Sequence, residues 1–272
     1  MGFRMLVAAT AAACLLGSPA LADEASLQKQ IDELKGQVEL QKDIEEIRRL
    51  QFAYNYYNSS GMAKQVVGLV SPNAESLEIG GRGVYKGKAG FLRLFGGRNN
   101  GVPQDRTGDN FGNVLFQLAG MDVITVSPDR TRAWGRVRVL TPIFRGWPKA
   151  KPRFNGGDYE MEYVKENGRW MIYKFKYIHA FSVTFEPDGT VSAGYSTAPK
   201  GDADAPTTWY HPWPESGVLP FHFTNPITGE KAPEVTGTTK YWIGNWPGEY
   251  GKMGNRGMPP GYKPLPTNPA AE

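Results

Sequence analysis

Residues 158–178 read DYEMEYVKENGRWMIYKFKYI, two runs of alternating side chains on either side of Glu166-Asn167-Gly168. Asn-Gly between alternating runs is the strongest short-range hairpin signal, because both residues accept the positive φ that a tight, twist-matched turn requires. Strands are therefore predicted over Asp158–Lys165 and Arg169–Ile178. Period-two alternation puts Tyr159, Met161 and Tyr163 on one face of the first, and Met171, Tyr173, Phe175, Tyr177 and His179 on one face of the second. This aromatic side is the expected lining of a pocket. Upstream, the same period continues through Val114–Leu118, Met121–Val126, a turn at Ser127-Pro128-Asp129-Arg130, and Thr131–Leu140. There Arg136 and Arg138 alternate with Val137 and Val139, so they are expected to point away from the aliphatic face as a solvated or subunit-facing ladder, with Glu160 and Glu162 as partners.

Before residue 113 the period is helical. Leu27, Ile31, Leu34 and Val38 alternate at spacings of four and three, the seam of a short coiled-coil-like helix. The stripe then changes phase to Ile44, Ile47, Leu50, Tyr54 and Tyr57 and stops near Ser59-Ser60-Gly61. A helix over 63–70, a strand over 76–79, the turn Gly80-Gly81-Arg82-Gly83 and a helix over 88–95 follow. Helices first and hairpin-linked strands after them predict an α+β fold with a curved antiparallel sheet.

The first 22 residues carry Arg4, an apolar run from Met5 to Leu16 and Ala20-Leu21-Ala22 before Asp23, the pattern of an export leader cleaved after Ala22. That run is too short for a membrane span, which needs ~20 residues. Export to the periplasm is expected, where ATP- or NAD(P)H-driven chemistry is a poor fit. Cys14 is the only cysteine, so the mature chain has neither disulfides nor thiolate chemistry. Lys plus Arg exceed Asp plus Glu by 31 to 27, and loss of Arg4 takes the formal charge from +4 to +3, without a basic run of the kind a nucleic-acid surface needs. One main domain, 43–198, is expected after a helical extension at 23–42. Thirteen of the 21 prolines and four of the seven tryptophans fall in 199–272, so this part cannot be regular structure. Its rings, Trp209, Tyr210, Trp213, Phe221, Phe223, Tyr241, Trp242, Trp246 and Tyr250, favour burial, which predicts an ordered arm wrapping its own domain or a neighbouring subunit.

From Asp43 to Phe185 the amphipathic helix ending in Tyr54 and Asn58, the Gly83-Val84-Tyr85-Lys86-Gly87 turn and the Tyr163–Trp170 hairpin resemble the SnoaL-like branch of the nuclear transport factor 2 (NTF2)-like superfamily. The resemblance implies helices packed on a strongly bent sheet around one deep pocket, a cone used by ketosteroid isomerases, dehydratases, polyketide cyclases and some non-catalytic binders. It further implies that Tyr54, Tyr57 and Asn58 stand at the pocket mouth, with asparagine where the family's aspartate is usual. Asp109 lies where the dehydratase-like members carry a histidine, and becomes a candidate base by position. Fold does not fix reaction, so the chemistry rests on the site.

His179 ends the predicted sheet, and its ordinary pKa of ~6.5 suits an acid or base near neutrality; a structural hydrogen-bonder is its other reading. Tyr54 is a candidate proton donor to a leaving hydroxyl. Arg106 is a candidate cation for a phenolate or enolate, or else a surface loop arginine. Tyr57, Asn58, Phe111, Tyr159, Met161, Phe175 and Tyr177 are candidate substrate contacts. No histidine pair or carboxylate–histidine cluster suggests a metal, and no cofactor is implied. Among SnoaL-like proteins the leader and aromatic tail are most similar to the diarylpropane γ-formaldehyde lyases of lignin-dimer breakdown. That implies a cofactor-free lyase or dehydratase on a small phenolic compound. A periplasmic binding protein for an apolar ligand is the rival, and assembly through 26–38 a third reading. A homodimer or homotrimer is expected, with no nucleic-acid partner and no membrane span.

Overall fold

The hairpin at 158–178 sits in the middle of a sheet whose strands run well beyond it. In chain order the elements are α1 (Glu24–Ser59), α2 (Ala63–Gly68), β1 (Ser76–Ile79), β2 (Gly83–Lys86), α3 (Gly87–Gly96), β3 (Asn113–Leu115), β4 (Leu118–Val126), β5 (Arg132–Arg145), β6 (Arg153–Glu166), β7 (Arg169–Phe185) and β8 (Val191–Ala193). The computed structural model describes residues 24–80, 82–96, 103–149, 151–186, 191–193, 202–207, 213 and 218–233. The leader with Cys14, and Trp209, Tyr210, His211, Tyr241, Trp242, Trp246 and Tyr250 of the arm, lie outside the described residues.

The strands pair in the order β2-β1-β7-β6-β5-β3, with β4 also on β5 and β8 on β7. All pairs are antiparallel except β1 on β7, so the sheet is mixed rather than wholly antiparallel. Asn167 (φ 50) and Gly168 (φ 73) make the β6–β7 turn with the two positive φ values that their residue types favour. Three register shifts, in β4 after Gly120 and between β6 and β7 at Gly156/Gly157 and Glu162/Tyr163, bend the sheet. At the middle one the backbones come so close that a side chain at Gly157 would run into the Ile178 carbonyl, and one at Gly156 into the Phe181 ring.

The third shift corrects the expected face of β7. Tyr163 pairs with Ile172 but Glu162 with Lys174, leaving Tyr173 as the extra residue. Parity flips there, so Trp170 and Ile172 share the inner face with Phe175, Tyr177 and His179, while Met171 and Tyr173 do not. Tyr173 instead lies under the Arg132 guanidinium, 4.2 Å from its ring centroid, on the outer side.

Residue contacts divide the chain into two units, 1–39 and 40–272. In the described part of the first, Leu27, Ile31, Leu34 and Val38 form a stripe exposed in the single chain. In the second, α1 lays Asp43, Ile47, Gln51, Tyr54 and Asn55 against the inner face of the sheet. Ile47, Leu77, Phe91, Ile172 and Phe175 are almost wholly buried in its core, each contributing about 1.5–3 kcal/mol of transfer free energy. Asp43 is buried there too. It accepts hydrogen bonds from Arg130, Lys165 (2.6 Å) and the Trp170 indole (2.9 Å), tying α1 to the β4–β5 turn and both strands of the hairpin. Burial alone would raise its pKa; the Arg130, Lys165 and Trp170 donors outweigh it and bring the carboxyl down to about 2.

The described arm residues lie on their own domain. Residues 204–207 run along the edge of β2, where the Val84 amide donates to the Ala205 carbonyl (2.8 Å) and the Thr207 hydroxyl accepts from Gly83 (3.0 Å). Residues 218–223 cross the outer face of the sheet. There Arg136 donates to the Leu219 carbonyl (3.1 Å), lies 4.2 Å from the Phe221 centroid and pairs with Glu160 (3.1 Å). Arg136 is thus 5% exposed beneath the arm rather than solvated, because a guanidinium satisfies carbonyl, carboxylate and ring together. Arg138, paired with Asp158 (2.9 Å), remains in solvent as expected, and Glu162 pairs with Arg132 and Lys174. Among the described residues no helix is long and apolar enough to cross a membrane.

Candidate active site

Positions 43, 47, 51 and 55 follow one another at the four-residue spacing that stacks side chains along a helix face, and three of the four are polar. Gln51 accepts from the Tyr163 hydroxyl (2.9 Å) and donates to Asn55 (3.1 Å). Asn55 donates to the Tyr159 hydroxyl (3.4 Å), which also receives Gln117 (2.9 Å). Gln117 in turn accepts from Asn58 (3.1 Å). Tyr54 hydrogen-bonds the Tyr159 hydroxyl as well. Among the described residues this buried network joins amides and phenols only. Burial raises the pKa values of Tyr54, Tyr159 and Tyr163, so all three hydroxyls keep their protons at any ordinary pH.

From Tyr159 a line of rings leads away from the network. Tyr54 meets Tyr159 edge-on at 5.8 Å and Phe175 at 4.9 Å; Tyr159 meets Tyr177 at 4.9 Å, and Tyr177 meets His179 at 4.7 Å. His179 is 8% exposed. Burial, then the Arg153 and Arg82 cations, lowers its pKa to about 3, so the imidazole is neutral at physiological pH. A neutral imidazole presents one ring nitrogen as a hydrogen-bond acceptor and the other as a donor.

Of the predicted residues, the structure brings Tyr54, Tyr159, Met161, Phe175, Tyr177 and His179 together in one inner cluster, with Tyr57 half-buried beside it and Asn58 joined through Gln117. Arg106, Asp109 and Phe111 lie exposed on the 103–112 loop; the Arg106 amide donates to the Gly61 carbonyl (3.1 Å). None of these three side chains joins the buried network. Sequence reasoning missed Gln51, Asn55, Gln117, Arg153, Asn155 and Ser182. The polar four-residue stripe was the available signal for Gln51 and Asn55; a pattern search that scores only apolar positions passes over it. Among the described residues no three His, Cys, Asp or Glu side chains converge as a metal site.

No curated protein sequence matches the chain. Among solved structures it is similar to a candidate scytalone dehydratase from Novosphingobium aromaticivorans, at 18% identity over 59% of this chain and 95% of that one (TM-score 0.42). It is also similar to a type 2 hexachlorocyclohexane dehydrochlorinase, LinA, at 17% over 63% and 99% (TM-score 0.42), and to LinA in a second structure, at 14% over 58% and 95% (TM-score 0.43). The family model described as a SnoaL-like domain matches residues 40–176, half of the chain and all of the elements from the sheet-facing turns of α1 to the middle of β7, and the chain belongs to that family.

Proposed function

We propose that the protein is a cofactor-independent lyase acting on a small phenolic compound, and that its reaction is deformylation of a lignin-derived diarylpropane diol. The observation that supports this reading is the continuous line from the Tyr54–Tyr159 hydroxyl pair through Tyr177 to the neutral imidazole of His179. In the reaction, Tyr54 gives its proton to the benzylic hydroxyl, which leaves as water, while the substrate's phenolate oxygen supplies the electron pair that turns the ring into a neutral quinone methide. His179 removes the proton of the terminal alcohol. The carbon–carbon bond then breaks, its electron pair restores the aromatic phenolate, the proton held by His179 returns to Tyr54, and the products are a stilbene, formaldehyde and water. The proton-taking role falls to His179 rather than Asp109, because His179 stands at the end of the ring line while Asp109 lies exposed on the 103–112 loop, outside the buried network.

Purified protein incubated with a diguaiacylpropane diol should release formaldehyde and a stilbene, seen by its near-ultraviolet absorption, in equal amounts. His179→Ala should lower the rate by ~10²–10⁴-fold, with Tyr54→Phe also impaired. Recovery of unchanged diol after stoichiometric binding sinks the lyase reading. It would favour the second one, a non-catalytic binding protein, which draws support from Asn55 and Asn58 and the purely neutral network around them. Export of either activity to the periplasm belongs to the same proposal, supported by the leader pattern in residues 1–22 and tested by fractionating cells that express the full chain. Assembly as a dimer or trimer through Leu27, Ile31, Leu34 and Val38 belongs to the same proposal. Light scattering should show an oligomer that Ile31→Glu dissociates; a monomeric unmodified chain ends it.

A further inference from the structure

Beyond His179 the inner face carries a second polar group that the ring line does not use. On β6, Arg153 and Asn155 continue the alternation of Gly157 and Tyr159, and across the ladder Asn155 faces Ser182 just as Gly157 faces His179. Asn155 and Ser182 are buried and joined by a 2.9 Å hydrogen bond. Both hold the Arg153 guanidinium by one edge: Nε donates to Asn155 and Ser182 (3.2 Å each), and Nη2 donates to Ser182 (2.8 Å). Those bonds occupy Nε–H and one Nη2–H. The Nη1/Nη2 edge keeps three donors, in the fork that fits a carboxylate.

The charge around this fork is unbalanced. Among the described residues neither Arg153, nor Arg145 two positions past its partner Ile143 on the next strand, nor Arg82 has a carboxylate partner. Lys151, by contrast, is paired with Glu186 at 2.7 Å. Arg145 and Arg153 repel one another, and Arg153 and Arg82 both act on His179. A cation held by two buried side chains, next to like charge and to a ring-lined cluster, is organised for a ligand rather than for the fold.

We infer that Arg153, set by Asn155 and Ser182, is a recognition position for the carboxylate of an aromatic ligand bound at the His179 end of the sheet. The inference rests on the proposed reading that small aromatic compounds occupy this site, and it adds a preference for those among them that carry a carboxylate. With the anion in place the field on His179 weakens, so ligand charge and imidazole basicity are coupled.

Calorimetric titration with 4-hydroxy-3-methoxybenzoate and with its methyl ester isolates the charge, because the ring is common to both. The wild-type chain should bind the acid at least roughly tenfold more tightly than the ester, as a charge-assisted pair implies. Arg153→Gln should abolish the preference while leaving the ester's affinity in place, and Ser182→Ala, which removes only the hydroxyl that positions the fork, should reduce it. Equal binding of acid and ester by the wild type, a preference that survives Arg153→Gln, or no binding of either probe overturns the inference. None of these readouts involves turnover, so a failed deformylation assay and a failed charge preference are separable results.

Discussion

On the inner face of the sheet, Gln51, Asn55, Gln117, Tyr159 and Tyr163 share neutral hydrogen bonds, whereas on the outer face Arg136, Arg138, Asp158, Glu160, Glu162 and Lys174 form ion pairs. Strand β6 supplies members of both sets, Tyr159 standing between Asp158 and Glu160 and Tyr163 next to Glu162. The contrast shows how depth selects polarity. Ionised groups taken out of water lose several kcal/mol of hydration, while an amide or phenol is compensated by one or two hydrogen bonds. An interior meant to handle protons around an apolar ring is therefore built from groups that are neutral until a reaction makes them otherwise. Asp43 and His179 are the inner-side exceptions, one charged and heavily paired, the other kept neutral by burial and nearby cations.

The sharpest break in this contrast is Asp43→Asn. It leaves Arg130 and Lys165 without their carboxylate against a buried helix stripe, and should cost about 3–5 kcal/mol in a denaturant titration. A loss under 1 kcal/mol would mean that solvent, not Asp43, compensates those cations.

Acid should act in the same direction. Asp43 titrates lower in the folded chain (about 2) than its ordinary 3.8, so its stabilisation is present above pH ~4 and lost as pH falls toward 2, about 2 kcal/mol in all. His179, whose folded pKa is also lowered, adds to this from about pH 6.5 downward, because only the unfolded chain takes up its proton there. Melting temperatures that stay flat from pH 7 to 4 would contradict the buried imidazole.

Tyr159→Phe tests the neutral side of the comparison. Removing the hydroxyl on which Asn55, Gln117 and Tyr54 converge should cost about 1–2 kcal/mol and shift activity more than stability; an unchanged melt and unchanged turnover would make the network ornamental. The smallest effect belongs to the outer face: Arg138→Ala, with a side chain 61% exposed, should cost below ~1 kcal/mol. Arg136→Ala should instead free residues 218–223 to proteolysis, and a cleavage pattern identical to that of Arg138→Ala would deny the arm its anchor.

The hairpin was legible because Asn167-Gly168 and the flanking alternation are local properties, decided by φ preferences and side-chain period within a few residues. The helix of Tyr54 and the inner position of Tyr159, Phe175, Tyr177 and His179 were readable for the same reason, and the SnoaL-like family was readable through the resemblance carried by that helix, the Gly83–Gly87 turn and the Tyr163–Trp170 hairpin. The outward turn of Met171 and Tyr173 was not, since a one-residue bulge is set by how two strands must slip to bend around α1, and alternation carries no trace of it. Strand ends at Arg145, Arg153 and Phe185 were equally hidden: Gly156-Gly157 looks like a break in sequence, yet in the sheet Gly157 lies where two backbones approach too closely for a side chain and Gly156 lies against the Phe181 ring.

Sequence alone thus determined the period of each element, the order of helices before strands, and the family. Tertiary structure alone decided which polar groups are buried, that Arg136 lies under the arm, and that Arg153 reaches the His179 end of the inner face. The division has a physical cause: secondary structure follows from torsional preferences a residue shares with its neighbours, whereas burial and charge pairing follow from partners distant in the chain, fixed only when the sheet closes over its helix.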